Sequence, residues 1–384
     1  MSVAGIARVE TFPLEVRLPY AYGTAKALGD TRFSTLVKLT TTDGTVGWGE
    51  AYGPPAATAP FLARAARRVL GTPLGPRENV ALHTMQEEYH VSRSGLAVAA
   101  ASGLDIALWD AFGHATGRSV ADLLGGRVRD RARAYASTGY FSDAFTLADQ
   151  LAAATDEGFD AVKIKIGASL RDDVARATLA REAVGADGAI MVDFNGNATR
   201  DTAAATLRAI ADTDPSWAEE PLSPANTSGW QELRAIGVPL AAGEALYGRF
   251  EFRDPIADGR LDVVQPDVAK CGGLSEARAI VTLASAWDLR ISPHCWGGGL
   301  AQAATLQLIA SIPETPFGRA GHPVMFEFDR SPNPLREDVL VEPISQRGSH
   351  VAIPAGPGLG VTVDEERVRS MVPGHLRSQA LSRS

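Results

Sequence analysis

The sequence predicts an α/β protein, a (β/α)8-type barrel with an N-terminal α+β capping domain, and three observations carry that prediction. From about residue 133 short apolar runs (RAYAST, AVKIKI, AIMVDF, SWAEE, VPLAAGE, LDVVQPD, RISPH) alternate with helix-like stretches such as FTLADQLAAATDEG and LSEARAIVTLASAW. Such alternation is the pattern of βα units and a parallel sheet. Six polar residues, Lys165, Asp193, Glu219, Glu244, Asp267 and His294, close successive runs at spacings of 28, 26, 25, 23 and 27. One polar group per βα unit is what a barrel requires if its strand ends are to converge on one mouth. The residues before about 117 lack this period and read as strands followed by alanine-rich helices.

In chain order, ARVETFPLEV is strand-like, and STLVKLTTTDGTVGWGE is a hairpin turning at Asp43-Gly44. Helical segments follow from about residue 57 to 117. The change of texture places the capping domain at 1–128, the barrel at 129–330 and a C-terminal segment at 331–384. That last segment, with NPLRED, strand-like HVAIPA and turn-rich GPGLGV, does not extend the repeat and is expected to return to the capping domain. Within the barrel, AVKIKIG sets Lys163 and Lys165 on one face of a strand and Val162, Ile164 and Ile166 on the other. The chain has only five lysines among 37 basic residues. Two retained on one strand face suggest chemistry that needs an amine able to lose its proton.

Composition narrows the partners. A net charge of −8 without a basic run argues against nucleic acid or an anionic membrane surface and leaves a small molecule. Two cysteines, Cys271 and Cys295, give no disulfide framework or zinc spacing, and MSVAGIARVETF lacks the pattern of a signal peptide. The apolar windows read as too short and too interrupted to span a bilayer, so a cytoplasmic location is expected.

Asp193 (MVDFN), Glu219 (WAEEP) and Glu244 (AAGEA) close three consecutive strands. One such acid is as readily a helix N-cap, but three aimed at one point repel unless a cation lies between them, and oxygen ligands suit Mg²⁺. Strand alternation lets only one of Glu219 and Glu220 face the mouth. A lysine beside a metal and a second cation should have a lowered pKa and serve as a base, although strand-end lysines more often snorkel to solvent. Asp267 and His294 close adjacent strands, and their pairing would orient the imidazole and raise its proton affinity. His83, His90, His114, His322, His350 and His375 read as structural. This constellation suits removal of the proton α to a carboxylate. Reprotonation would make a racemase or epimerase of a 2-hydroxy or amino acid; loss of a β-hydroxyl or ring oxygen would make a dehydratase or cycloisomerase. A Schiff-base aldolase using Lys163 or Lys165 is a rival that the carboxylate triad disfavours, and a non-catalytic binding protein is more remote.

Taken together, KIK, DFN, EEP, GE, QPD…GG and PH resemble the enolase superfamily, in its mandelate racemase subgroup, along essentially the whole chain. The resemblance implies a modified, TIM-like barrel and one Mg²⁺ per subunit at Asp193, Glu219 and Glu244. It implies Lys165 as one base, Lys163 as its helper near the substrate carboxylate, Asn195 close by, and the Asp267–His294 dyad opposite. Glu327, in MFEFD, resembles the glutamate that hydrogen-bonds the developing enediolate. The subgroup rests on Asp267, five residues before Gly272-Gly273, where the muconate-lactonizing subgroup has its catalytic lysine; Lys270 is given a lesser role. KIKIG, QPDVAKCGGLSE, PHCWGGG and FEFDRSPNPLREDVLVEP are most similar to the galactarolactone and 3,6-anhydrogalactonate cycloisomerases. That similarity implies a sugar acid or lactone as the small-molecule carboxylate substrate, and the resemblance favours a homo-oligomer. Specificity should reside in capping loops around Tyr20–Lys26 and Glu50–Pro54. Tyr20, Tyr22, Tyr52 and Trp296 are candidates for a substrate wall, a plain core role being equally open. Few arginines lie in these loops, which gives no pointer to a diacid.

Overall fold

The computed structural model describes residues 4–75, 80–313 and 323–382, so His322 lies outside the described residues. The N-terminal unit is an antiparallel meander of β1 (Ile6–Gly23), β2 (Leu28–Thr41) and β3 (Val46–Ala51), covered by α1 (Pro55–Val69), α2 (Val80–Glu87) and α3 (Leu96–Thr116). At the expected Asp43-Gly44 turn the Asp43 carboxylate accepts from the Thr45 amide at 3.2 Å while Gly44 takes φ +86°. Glycines of β3 let α3 settle directly on the sheet: a Cβ at Gly49 would meet the Gly103 carbonyl oxygen at 2.1 Å. Contrary to the expectation from composition, α3 is long and apolar enough to cross a membrane. It is instead the core helix of this unit, with 89% of its apolar window buried in the protein.

A short α4 (Val120–Leu123) leads into β4 (Arg131–Ser137) and β5 (Phe141–Ser142), after which helices and strands alternate. The barrel continues through α5 (Leu147–Asp156), β6 (Ala161–Lys165), α6 (Leu170–Val184), β7 (Ala189–Asp193), α7 (Arg200–Ile210) and β8 (Trp217–Glu219). It goes on through α8 (Thr227–Arg234), β9 (Leu240–Ala242), α9 (Gly248–Ala257), β10 (Val263–Val264), α10 (Gly273–Ser285), β11 (Arg290–Ile291), α11 (Gly299–Ser311) and β12 (Met325–Asp329). The chain ends with α12 (Pro334–Glu337), β13 (Gln346–Arg347), β14 (His350–Ala352), α13 (Glu365–Met371) and β15 (Gln379–Ser382).

Eight parallel strands run β4-β6-β7-β8-β9-β10-β11, with β12 pairing back on β4 along its whole length. Among the described residues the β11–β12 seam has no ladder; there Ser292 donates to the Met325 carbonyl at 3.3 Å. The β13–β14 hairpin pairs antiparallel with the N-terminal end of β4, at Arg131–Arg133, and β15 pairs antiparallel with Arg8–Thr11 of β1. The C-terminal segment therefore touches both units. Strand periodicity sorts the barrel interior into layers. Tyr135, Ala161, Met191, Trp217, Ala241, Val263 and Met325 form an apolar plug, while Val162, Ile164, Ile190, Val192 and Ala218 face the helices in the main core.

Candidate active site

Two residues beyond most plug residues the inward side chain becomes polar: Ala161 is followed by Lys163 and Lys165, Met191 by Asp193, Trp217 by Glu219, Val263 by Gln265 and Asp267, and Met325 by Glu327, whereas on β9 Ala241 is followed by Gly243 and then Glu244. Register then aligns them, because Lys165 sits opposite Asp193 and Asp193 opposite Glu219 in the parallel ladders. Lys163 Nζ lies 2.6 Å from Glu219 Oε1 and 2.7 Å from Glu327 Oε1, fully buried. Lys165 Nζ meets Asp193 Oδ2 at 2.5 Å. Glu219 Oε2 also accepts from Gln265 at 2.7 Å and from the Trp217 indole at 3.2 Å. Across the mouth, His294 Nδ1 lies 2.6 Å from Asp267 Oδ2 and Nε2 lies 2.6 Å from Glu244 Oε2. With a carboxylate on each ring nitrogen, both must carry protons, and the ring is an imidazolium.

Burial opposes that charge, but Glu244, Glu327 and Asp267 outweigh it and hold His294 up at about 10. The same balance acts on the lysines while no metal lies beside them. Burial pulls Lys165 down and Lys163 adds repulsion, yet Asp193 at contact distance carries the net shift upward. Lys163 is raised as well, between Glu219 and Glu327. Glu327 is pushed up by burial but drawn down to about 2 by Lys163, His294 and Lys165, so it is a carboxylate that only accepts hydrogen bonds.

A second correction concerns the EEP turn. Glu220 takes φ +39°, which breaks strand alternation, and both glutamates are buried at the mouth. Burial and the neighbouring Glu244, Asp193 and Glu219 push Glu220 up to about 8, and its Oε1 has no hydrogen-bond partner among the described residues. Asn195, also left-handed at φ +49°, donates its backbone amide to Asp193 at 2.8 Å and leaves Oδ1 buried without a partner among the described residues. Among the described residues no three acids or histidines are drawn in to hold a metal ion as they stand. Each triad carboxylate is instead engaged by a cation of the chain: Asp193 by Lys165, Glu219 by Lys163, Glu244 by His294. The donor set nevertheless fits a hard divalent ion, being all oxygen and flanked by two buried acceptor oxygens without partners.

The capping unit supplies one wall. The Tyr22 and Tyr140 rings are 5.1 Å apart, Tyr20 meets Phe145 at 5.2 Å, and Tyr52 faces Trp296 at 6.4 Å. The Trp296 indole donates to the Tyr140 hydroxyl at 3.1 Å. Lys26 reaches across to the Asn195 carbonyl at 2.6 Å. Glu50 accepts from the Gly298 and Ala301 amides at 2.6 and 2.9 Å, pinning its loop to the first turn of α11. Residues missed in the sequence complete the wall. Arg32 of β2 lies 3.6 Å from the Trp296 ring, pairs with Asp329 at 2.6 Å and hydrogen-bonds Ser331. Tyr140 donates to Asp329 at 2.8 Å. An arginine in mid-strand and a tyrosine in a short loop carry no periodic signal, and only their burial identifies them.

Two family descriptions match: the mandelate racemase / muconate lactonizing enzyme N-terminal domain over residues 9–125 and the enolase C-terminal domain-like family over residues 146–367. A D-galactarolactone cycloisomerase of Agrobacterium fabrum is similar at 36% identity, covering 94% of this chain and 97% of that protein. The crystal structure of the 3,6-anhydro-D-galactonate cycloisomerase from Zobellia galactanivorans has a TM-score of 0.85 at 30% identity, covering 96% of this chain and 99% of that one. An L-talarate/galactarate dehydratase from Salmonella typhimurium, liganded with Mg and L-lyxarohydroxamate, has a TM-score of 0.87 at 25% identity, covering 99% of this chain and 95% of that one. With family matches on both units and a relative 36% identical over 366 residues, the chain belongs to the enolase superfamily, among the mandelate racemase / muconate lactonizing enzymes.

Proposed function

We propose that this protein is a Mg²⁺-dependent enzyme that removes the proton α to the carboxylate of a sugar acid or sugar lactone and then breaks the β C–O bond. Loss of a β-hydroxyl gives a dehydratase; opening of a ring oxygen gives a cycloisomerase, with the α-proton and electron pair accounted for by the enol that ketonises. The observation that carries this reading is the placement of Lys165 and His294 on opposite sides of one buried mouth, each tied to a carboxylate. The named activities of the relatives, two cycloisomerases and an acid sugar dehydratase, support it.

In this reading Asp193, Glu219 and Glu244 would hold one Mg²⁺, with Glu220 beside them. When bound, the ion would fix the substrate carboxylate and offset the charge that builds on it as the α-proton leaves. Handing Asp193 and Glu244 to a divalent cation would also remove two of the charges that keep protons on Lys165 and His294. Lys165 Nζ takes the α-proton. His294 keeps Asp267 at 2.6 Å on Nδ1 and Glu327 at 3.9 Å from Nε2 when Glu244 is given up, which suits an acid that protonates the departing oxygen better than a second base. That favours elimination over racemisation or epimerisation, the second reading of the same site. Lys163 stays between Glu219 and Glu327 as fixed positive charge near the substrate carboxylate, and Glu327 can donate to the enediolate only after taking up a proton. Lys163 is committed as ammonium between Glu219 and Glu327, and a Schiff-base enzyme has no use for the carboxylate triad, which weighs against that chemistry. The aromatic residues Tyr20, Tyr22, Tyr52 and Trp296, with Asn195, bound the substrate. We place the protein in the cytoplasm, as a homo-oligomer.

The test is a screen of sugar acids and lactones in D₂O with Mg²⁺. Solvent deuterium should enter at the α-carbon and a 2-keto product accumulate, both abolished by EDTA. Turnover that survives EDTA, or a product epimeric with the substrate, would overturn it.

A further inference from the structure

A helix leaves its first amides without partners, and each barrel helix from α5 to α9 finds an acceptor for such an amide in its own stretch of sequence. On α5, Thr146 accepts from the Asp149 amide at 3.2 Å and Asp149 from the Thr146 amide at 2.9 Å. Ser169 accepts from the Asp172 amide at 3.2 Å on α6, and Thr202 from the Thr199 amide at 2.9 Å on α7. Asn226 accepts from the Gly229 amide at 3.2 Å on α8, and Glu251 from the Tyr247 amide at 2.8 Å on α9. The next two helices differ, because α10 and α11 are entered through Gly272 and Gly298, which have no side chain to cap with.

The capping unit supplies what they lack. Glu50 of β3 accepts from the Gly298 amide at 2.6 Å with one carboxylate oxygen and from the Ala301 amide at 2.9 Å with the other. These are the two amides that a capping box satisfies, at the residue before the helix and at its third position, and a single side chain 248 residues earlier takes both. On α10 the equivalent amides belong to Gly272 and Ser275, and they donate to Ser102 Oγ at 2.9 Å and Asp105 Oδ2 at 3.0 Å, both on α3. Glu50, Ser102 and Asp105 are all buried. Glycines make room for the carboxylates: a Cβ at Gly298 would sit 3.1 Å from both Glu50 oxygens, and one at Gly273 would run into Asp105 Oδ2. A carboxylate at a helix N-terminus is also favoured by the helix dipole.

α10 and α11 are the helices behind Asp267 and His294. Gly272 lies five residues after Asp267 and Gly298 four after His294, with no strand or helix between. The cap ties down the same two segments again: the Trp296 carbonyl accepts from Arg32 at 3.1 Å, and the Ala269 carbonyl accepts from the Tyr52 amide at 3.1 Å. On the other side of the mouth Lys165 closes β6, ahead of a helix capped by its own Ser169. We propose that the capping unit positions the Asp267–His294 dyad by completing these two helices, with Glu50, Ser102 and Asp105 as positioning residues, while Lys165 is placed by barrel residues alone. The proposal rests on the reading of Lys165 as base and His294 as acid, and deepens it: docking of the cap assembles the proton donor and leaves the base as it was.

The test begins without substrate. Crystal structures of the native protein and E50A, obtained under the same conditions, should show residues 294–298 displaced in E50A and the 2.6 Å contact between His294 and Asp267 lost, with Lys165 unmoved. E50Q, whose amide oxygen still accepts from one helix amide, should keep the contact. Should E50A fail to fold, S102A is read in the same way at residues 267–272. A segment that stays in place would overturn the assignment whatever the reaction proves to be. With the acid found by the D₂O screen, E50A should lose about 10- to 100-fold in β C–O cleavage while α-deuterium exchange changes less than about 3-fold. E50Q should recover most of the cleavage, and E50A added to H294N should cost no further residual cleavage. S169A, which uncaps α6, should lower the melting temperature without changing the ratio of the two rates. Equal losses in both steps, or the same change of ratio in S169A, would mean that Glu50 only holds the units together. A native protein that shows neither exchange nor cleavage sinks the sugar-acid reading, and the structures alone then decide the role of Glu50.

Discussion

Lys165 and His294 show how strongly a residue's role depends on what lies within 3 Å of it. Each would be an ordinary base in water, and each holds its proton here because a carboxylate sits 2.5 or 2.6 Å away. Mg²⁺ binding should consequently release protons, and apparent Mg²⁺ affinity should tighten as pH rises from 6 to 9. Titration calorimetry in two buffers of different ionisation enthalpy checks this; a heat independent of buffer would contradict it. Replacing Lys165 with alanine should lower turnover by about 10²- to 10⁴-fold. Replacing His294 with asparagine should block β C–O cleavage while α-deuterium exchange through Lys165 persists. That split separates base from acid, and loss of exchange in H294N would reverse the assignment.

At the scale of elements, the capping unit and the barrel are joined by buried polar pairs that connect strands and helices far apart in sequence. Arg32 of β2 and Asp329 at the end of β12 are 3% and 1% exposed in their side chains. Removing one partner of such a pair costs roughly 3–5 kcal/mol, because the other charge is left buried. R32M should show that loss in denaturant midpoint, and R32M/D329N should recover part of it; additive losses would mean the two do not act as a pair. Asp105 of α3 is a second joint, accepting from the Ser275 hydroxyl at 2.6 Å and amide at 3.0 Å in the first turn of α10. Burial pushes it from 3.8 up to about 7, against the pull of the Ser275 donors. Between those values the folded protein keeps a proton that the unfolded chain has lost, so this group's contribution to stability falls as pH rises from about 4 through 7. The melting temperature of D105N relative to the native protein should therefore be more favourable at pH 8 than at pH 5. Parallel curves would argue against the raised pKa.

In the whole molecule the two ends of the chain lie side by side. β15 covers Arg8–Thr11 of β1, and Lys38 of β2 pairs with Glu365 of α13 at 2.7 Å. Truncation after Gly374 removes β15, and hydrogen exchange at Arg8–Thr11 should accelerate while the barrel strands keep their protection. Acceleration spread over the barrel would mean that the two units unfold together.

The sequence by itself determined the barrel and the membership of its mouth. Strand periodicity and a recurring spacing near 25 residues act locally, and both survive into the folded layers: apolar plug, then polar ring. Chain-local signals also located the Asp43-Gly44 hairpin and the lysine pair of β6. What only the tertiary structure decided is the state of those groups. Whether Lys165 is lowered or raised depends on its distance to Asp193, and whether Glu220 faces in depends on one left-handed φ angle. Arg32 and Tyr140 stayed out of view for the same reason: their significance is the identity of a partner on another element, and partners across 100 or more residues leave no period to read.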